Sequence, residues 1–445
     1  MDGGARRAPR NLQRAFRARR TLDAVSAFSI APGGLSMQRY YVLDREMAAG
    51  EDGFEAMVAR AYTLRQAVRC LCRRDIALDL YIAHRHGGHV LSRWPGTGPR
   101  HAPHCDHYEA PDHLTGLGQV LGSAIVDDID NGVTTLKFGF PLSKGPARAA
   151  PASFTNDKPD VKATGQRLSM RGMLHFLWDR AQLTHWHPRM AGKRNWYIVR
   201  RQLLNAALGC KVRGDPLAQR LFVPETFRLD DKDAIAGRQD AELAIARSEP
   251  DRIMILIGEI RSIESARYGE KILIKHMPQR PFLMDADMAR RFHKRFAAEE
   301  ELWRSDDRDG SLIMAASFSM GASGLAQIFE MSVMPVTREW IPYEGLEERM
   351  LVTQAIEEKR HFVKGMRVNL GLEMPIASLT LTDTGGEATA VYLAHNLPEP
   401  RYDEALEQLM RTQGVEHLTW RPGDCLQIAQ SGSTPIKVAG TSTAH

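Results

Sequence analysis

The feature that most constrains this chain is the spacing of three of its five cysteines relative to two histidines. Cys70 and Cys72 form a C-x-C pair, and His101 and Cys105 form an H-x3-C pair about thirty residues later. A structural zinc site takes four sulfur or nitrogen donors in a tetrahedron, commonly as two short-range pairs. The runs "LDLYIAH" and "HVLSRW" between the pairs read as a hairpin that would bring them together. The spacing therefore predicts a structural zinc site with Cys70, Cys72, His101 and Cys105 as ligands.

Two alternatives to this assignment stay open at the level of sequence. His104 stands beside Cys105 and is an alternative fourth ligand. The same residues can also be read as buried thiols and surface histidines with no metal. A catalytic metal is disfavoured, because a complete Cys3His shell leaves no position for water.

The remaining cysteines and histidines are expected to be structural or exposed. An odd and low number of cysteines argues against an extracellular disulfide framework. Cys210 and Cys425 are isolated and are expected in the core. His107, with the histidines of the hairpin, is expected at the surface.

Length and composition indicate a soluble protein of several domains. A chain of 445 residues predicts two to four domains. Its 43% hydrophobic and 25% charged residues match globular averages. No apolar run approaches the roughly 18 residues that span a bilayer, and the N-terminus lacks a secretory signal. We therefore expect a cytoplasmic protein without a membrane partner.

Positive charge is concentrated in two places. Residues 1–22 hold seven arginines and one aspartate, so this tail carries +6 and the rest of the chain sums to −1. Residues 161–228 carry thirteen lysines and arginines against three acidic residues, a local surplus of +10. Such a concentration is typical of surfaces that contact phosphate backbones.

The stretch "WHPRMAGKRNWYIVRR" interleaves these cations with Trp186, Trp196 and Tyr197. Basic side chains neutralise phosphates, and exposed aromatic rings stack on unpaired bases. Trp196 lies on the apolar stripe of a predicted helix, which disfavours it as a platform for bases. The alternative is that the tryptophans are core and the charges a solvated face. The predicted nucleic-acid-binding residues, with DNA favoured over RNA as the partner, are Arg189, Lys193, Arg194, Arg200 and Arg201.

The sequence as a whole predicts an α+β multidomain protein. A small β-rich, zinc-stapled module precedes a basic helical or winged-helix-like module, and the C-terminal half is mixed α/β. The predicted units are a disordered basic tail at 1–37, the β-rich module at 38–142, a linker at 143–165, the basic module at 166–230, a mixed α/β region at 231–340, an α/β unit at 341–425 and a disordered tail at 426–445.

The last unit raises the alternative of an enzyme. Glu347 or Glu348 on a helix, followed by Asp383 after "SLTLT", is a pattern of metal-dependent nucleases, whose carboxylates hold Mg²⁺. The next strand, "ATAVYLAHN", lacks the Glu-x-Lys that such a site needs. The pattern therefore predicts at most a degenerate or unusual nuclease, and no catalytic residue is assigned.

Several separated segments together resemble the domain of unknown function 1173 family, over about residues 66–420. They are "CLC", "RWPGTGPRHAPHC", "MRGMLHFLWDRA", "HPRMAGKRNWYIVRRQLL", "FVPETF", "GEIRSIESARYGEKILIKHMP", "REWIPYE", "RHFVKGMRVNL" and "LTDT". The resemblance implies a setting on bacterial plasmids and integrative conjugative elements, and it implies no established activity. It also supports His101 over His104 as the ligand.

These observations predict a mobile-element accessory protein that binds structural zinc and nucleic acid. The alternatives are the nuclease and a protein–protein adaptor in conjugative transfer, whose basic segment would contact an acidic, element-encoded partner protein.

Overall fold

A computed structural model describes most of the chain. The described residues are 38–85, 88–94, 96–112, 114–128, 133–144, 166–249, 251–305, 310–321, 323–371, 374–394, 400–412 and 415–426. The predicted tail at 1–37, nearly all of the predicted linker at 143–165 and nearly all of the predicted tail at 426–445 lie outside them.

The described residues form a mixed α/β protein with four sheets. The strands are, in chain order, β1 (Arg39–Val42), β2 (Arg45–Ala48), β3 (Val68–Cys70), β4 (Leu78–Arg85), β5 (Gly88–Arg93), β6 (Ile125–Asp128), β7 (Val133–Leu136), β8 (His185–Trp186), β9 (Cys210–Val212), β10 (Asp215–Pro216), β11 (Leu221–Phe222), β12 (Met254–Ala266), β13 (Gly269–Ile274), β14 (Met277–Met284), β15 (Gly310–Met320), β16 (Ala326–Thr337), β17 (Phe362–Lys364), β18 (Leu379–Leu381), β19 (Thr389–Leu393) and β20 (His417–Trp420).

The α-helices of the described residues are α1 (Phe54–Thr63), α2 (Met170–Arg180), α3 (Trp196–Leu208), α4 (Lys232–Glu242), α5 (Ala244–Ser248), α6 (Ala286–Arg295), α7 (Ala297–Ser305), α8 (Leu346–Glu357) and α9 (Pro400–Thr412). None of them is long and apolar enough to cross a membrane.

The first sheet has the order β2-β1-β3-β4-β5 and is antiparallel throughout. The β4–β5 hairpin predicted between the two ligand pairs is confirmed. Helix α1 lies within a region expected to hold only strands and turns. Phe54, Val58 and Ala61 recur at helical spacing there; Val58 and Ala61 are buried, and Phe54 and Ala61 pack in the core of the first sheet.

A polar side chain caps the start of each of helices α2 and α3. The side chains of Ser169 and Asn195 accept hydrogen bonds from the backbone N–H groups of Gly172 and Ile198. Gly209 follows the last residue of α3. Both helices share a core with the second sheet, whose order is β10-β9-β7-β6.

The third sheet closes on itself. Its order is β11-β12-β13-β14-β16-β15, and β12 also pairs with β15, so that five strands form a barrel with β11 at one edge. One face of β12 packs into the barrel through Leu256, while the other packs on α2 and α3 through Ile255 and Ile257. Burial on both faces explains why "IMILI" is continuously apolar.

The segment "ADMARRFHKRFAAEEELW" forms two helices that close one end of the barrel. Helix α6 ends at Arg295 and α7 starts at Ala297, with Phe296 between them. Met288, Phe292 and Phe296 are buried in the barrel core.

A histidine of α6 braces this end of the barrel. His293 places Nε2 2.8 Å from a carboxylate oxygen of Glu270 in β13 and Nδ1 2.6 Å from one of Glu300 in α7. Burial lowers the pKa of His293, but the hydrogen bonds to Glu300 and Glu270 outweigh it, and the pKa is raised. The charged imidazolium therefore stabilises the fold.

We expect this stabilisation below the ordinary histidine pKa of about 6.5, and its loss as the pH rises through the raised value. His293→Gln should lower the free energy of unfolding at about pH 6 more than at about pH 9, by roughly 1 kcal/mol or less because solvent screens the ring. Urea unfolding at both pH values measures this, with His417→Gln as the control. An equal loss of unfolding free energy at both pH values would contradict a stabilising role for the charged His293 imidazolium.

The fourth sheet has the order β20-β19-β18-β17-β8 and takes its edge strand from far away in the chain. Strands β17, β18 and β19 are antiparallel, and β20 is parallel to β19. Strand β8 pairs with β17, β7 pairs with β9, and β11 pairs with β12, so three sheets draw on more than one of the predicted units. The division into units that fold independently stays a prediction. These strand pairings connect the predicted units to one another.

Candidate metal centre and basic surface

The four predicted ligands lie together beside the first sheet. Cys70 ends β3, Cys72 follows two residues later, and His101 and Cys105 come from the turn after β5. Their donor atoms all lie within 4.8 Å of one another. The Sγ atoms of Cys70 and Cys105 are 3.6 Å apart, and Nδ1 of His101 lies 3.4 Å from Sγ of Cys72 and 3.6 Å from Sγ of Cys105. This arrangement could hold a metal ion.

Three of the four clustered residues are buried. Cys70, His101 and Cys105 are buried, while Cys72 is partly exposed. A disulfide needs sulfur atoms about 2.05 Å apart, and all five cysteines are free thiols. Nδ1 of His101 is the ring nitrogen that faces the sulfurs. Its Nε2 is buried and has no hydrogen-bond partner among the described residues.

Hydrogen bonds to the sulfurs favour thiolates. The backbone N–H groups of Ala102 and His107 donate to Cys72 and Cys105, each at 3.4 Å. The side-chain amide of Gln38 donates to Cys70 at 3.0 Å. The spacing of the cysteines did not reveal these donors, because each depends on how the turns fold.

The cysteine thiols of the cluster differ in their pKa values. Hydrogen bonds from Cys105 and Cys70 lower the pKa of Cys72, while the neighbouring Cys70 and Cys72, together with burial, raise the pKa of Cys105. Three adjacent thiolates repel one another in a buried site, so full ionisation requires a cation between them.

The other histidines and cysteines lie outside the cluster. His104 is exposed and is not among the four clustered residues. His107, expected at the surface, is instead buried, with Nε2 3.1 Å from the Tyr40 hydroxyl. Cys210 is buried as expected, but Cys425 is exposed, because the turn after β20 leaves it outside the core.

The cluster of Cys70, Cys72, His101 and Cys105 lies next to residues of the fourth sheet region. Arg73 follows Cys72 and donates from Nη2 to both carboxylate oxygens of Glu387, at 2.8 and 2.9 Å. Ala388, next to Glu387, is buried in the same cluster as Cys70 and Cys105. Residues near the two ends of the described chain therefore meet beside the predicted ligands.

Of the five predicted nucleic-acid-binding residues, three are available at the surface. Arg189 and Lys193 are exposed in the loop before α3. Arg201 is partly exposed on α3, with its guanidinium carbon 5.9 Å from the ring centre of Tyr197, which is 58% exposed. These three side chains are therefore placed to contact a ligand in solution.

The other two predicted residues have internal partners. Arg194 donates to the carbonyl oxygens of Leu183, at 2.9 Å, and of His185, and burial lowers its pKa to about 10. Arg200 donates from Nε to the carbonyl oxygen of Val223 at 2.8 Å. These contacts give both guanidinium groups a role in holding the loops around α3.

Both tryptophans of the segment are buried, so they are not platforms for bases. Nε1 of Trp196 donates to the carbonyl oxygen of Pro224 at 2.7 Å, and its ring stacks on His276. Tyr197 is the exposed aromatic side chain of this stretch.

A family model described as a protein of unknown function (DUF1173) matches residues 40–423, which include the four clustered residues and the basic segment. The chain belongs to the DUF1173 family. The resemblance expected from the sequence is thus confirmed, whereas the mobile-element setting stays a prediction. No curated protein and no solved structure matches this DUF1173 chain.

Of the three carboxylates considered for a degenerate nuclease site, Glu348 and Asp383 each lie against a fixed cation in this DUF1173 protein. Arg360 holds Asp383 through two hydrogen bonds of 2.8 and 2.9 Å, and Nζ of Lys364 lies 2.9 Å from Glu348. Phe362 pairs with Leu381 and Lys364 with Leu379, so the two ion pairs lie at opposite ends of β17. Each acid is already neutralised by a fixed cation where Mg²⁺ would have to bind.

Proposed function

We propose that this protein binds one structural zinc ion and uses its basic surface to bind nucleic acid. The observation that carries the zinc assignment is the geometry of the Cys3His cluster. Zinc bond lengths of about 2.3 Å to sulfur and 2.0–2.1 Å to nitrogen place tetrahedral sulfurs about 3.8 Å apart, and sulfur and nitrogen about 3.5 Å apart. The observed separations of 3.6, 3.4 and 3.6 Å agree with these edges.

The donor set supports zinc over other common ions. Three thiolates and an imidazole suit zinc, whereas magnesium and calcium prefer oxygen ligands. Four protein donors complete a tetrahedral shell, so the ion has no open position for water. The ion would hold β3 to the turn after β5 and offset two of the three negative charges of the thiolates.

The charge of the basic segment supports nucleic-acid binding. Residues 180–214 contain eight lysines and arginines and no aspartate or glutamate. Arg189 and Lys193 are exposed in the loop that precedes α3, and the backbone N–H groups at the start of a helix also attract phosphate. In the plasmid or conjugative-element setting expected from the family resemblance, the protein would be an accessory factor that binds DNA.

Arg189→Ala combined with Lys193→Ala should weaken binding of a mixed-sequence duplex and flatten its salt dependence. Each cation that contacts phosphate releases about one counterion, so the slope of log affinity against log salt should fall by roughly 2. Fluorescence anisotropy between about 50 and 200 mM salt measures both quantities. The matched control is Arg401→Ala with Arg411→Ala, which removes two exposed arginines from α9.

A slope that is unchanged in the loop variant, or reduced equally in the α9 control, would overturn the assignment of this surface. Retention of binding by an acidic partner protein, with no measurable affinity for nucleic acid, would favour the adaptor alternative.

A further inference from the structure

The barrel has the strand connectivity of a known nucleic-acid-binding architecture. Strands β12, β13 and β14 are antiparallel neighbours, β14 is parallel to β16, and β15 closes the barrel against β12. Helices α6 and α7 lie between β14 and β15 in sequence and close one end. Five strands in this Greek-key order are the arrangement of the OB-fold, which binds oligonucleotides on its second and third strands and on the loop between its first two.

The first strand bends as such a closed barrel requires. The N-terminal half of β12 pairs with β15 and its C-terminal half pairs with β13, with a register shift between Ile260 and Ser262. Gly258 precedes the shift, and a Cβ there would lie 2.9 Å from Ile274. Glycine therefore leaves room for the Ile274 side chain to pack over the backbone at the bend.

The β12–β13 loop presents an aromatic ring next to a cation. Tyr268 is 76% exposed, and the guanidinium carbon of Arg267 lies 5.1 Å from its ring centre. Gly269 has φ 114°, and a Cβ there would lie 2.2 Å from the carbonyl oxygen of Met284. Because this glycine seats the turn against β14, the tyrosine projects from a well-supported loop.

The surface beside the loop is basic. Helix α6 carries four lysines and arginines, all exposed, against Asp287. The hydrogen bond between Glu270 and His293 joins the start of β13 to this helix. The acidic Glu264 of the loop region is matched by Lys271 at 3.1 Å. Positive charge next to an exposed ring complements a phosphate backbone with unpaired bases.

We propose that the barrel is a second nucleic-acid site, which binds single-stranded nucleic acid through stacking of a base on Tyr268. It is separate from the loop at Arg189 and Lys193, and it goes beyond the proposed function by assigning a different surface and a single-stranded ligand. Duplex DNA does not offer an unstacked base, so the preference follows from the exposed ring.

The test compares Tyr268→Ala and Tyr268→Phe in the full-length protein, with a fluorescent fifteen-nucleotide thymidine strand, about three or four times the smallest OB-fold site, as the probe. Removal of the ring should weaken binding roughly tenfold, within the range measured for loss of one stacked base, while phenylalanine should retain wild-type affinity. Tyr41→Ala, which removes a 42% exposed tyrosine from the first sheet, is the matched control. A thermal melt confirms that each variant is folded.

Each outcome separates the two nucleic-acid surfaces. Equal affinity of Tyr268→Ala and Tyr268→Phe would overturn the barrel site, even if Arg189→Ala with Lys193→Ala still weakens duplex binding. Tighter binding of duplex than of single strand through Tyr268 would also overturn it. Loss of single-strand binding in Tyr268→Ala alone supports the barrel site whatever the loop variant shows. No binding of either probe by the wild-type protein would overturn both surfaces.

Discussion

Replacement of Cys70 by serine is expected to release the metal and unfold the first sheet and its turns. Cys70 is fully buried, and its sulfur lies 3.6 Å from that of Cys105. Structural zinc in small modules contributes an apparent 10–16 kcal/mol, about as much as or more than the whole stability of a typical domain. Release of the ion also leaves the two remaining cysteines in a buried site without a cation.

Mass spectrometry of the intact protein, purified without added zinc or a metal-binding tag, gives the metal content. Hydrogen exchange then gives the local consequence, which should be loss of protection in β3 and β4 while the barrel strands stay protected. Cys210→Ser is the matched control, because that cysteine is also buried but lies outside the cluster. Stoichiometric zinc in Cys70→Ser, or a protected first sheet in metal-free wild type, would contradict the structural role.

Lys364→Met should destabilise the fourth sheet by about 3–5 kcal/mol, because it leaves a carboxylate buried without its cation. Nζ of Lys364 lies 2.9 Å from Glu348, and the two side chains are 2% and 6% exposed. The other oxygen of Glu348 accepts the backbone N–H of Glu344 at 2.7 Å. The pair therefore contributes both charge balance and a fixed connection between α8 and β17.

The double variant Lys364→Met with Glu348→Gln tests this explanation. Glutamine keeps an oxygen for the Glu344 N–H but carries no charge, so it should recover more than half of the lost stability. The exposed pair of Arg411 and Glu407 is the control, since Arg411→Met should cost less than about 1 kcal/mol. Urea unfolding and hydrogen exchange of β18 measure the effects. A double variant as unstable as the single one would assign the loss to packing.

The predicted metal ligands could be found from sequence because the signal is local. Two short pairs and a hairpin of alternating residues set the distances within a single module. His101 could not be separated from His104 by the residues alone, since both stand within four positions of Cys105. The turn at Gly98–Arg100 decides which ring faces inward, and its conformation depends on contacts with the rest of the module.

Features that depend on distant segments were not visible. Closure of the barrel by the β12–β15 pairing cannot be read from periodicity. The internal contacts of Arg194 were hidden for the same reason, because lysines and arginines in a basic run look alike until carbonyl oxygens are placed around them. A helix was missed at α1, where apolar spacing was present in a segment assigned to strands.

The ion pair between Arg73 and Glu387 joins residues 314 positions apart, and this separation orders events during synthesis. The cysteines and His101 leave the ribosome long before Glu387 does, because the chain is made from its N-terminus. Domains generally fold in the same order during translation. A first sheet that folds in this order has to stay folded without its contact to Glu387 while most of the chain is made. Early metal capture would supply that persistence, and zinc limitation should then act on nascent chains more severely than on finished protein.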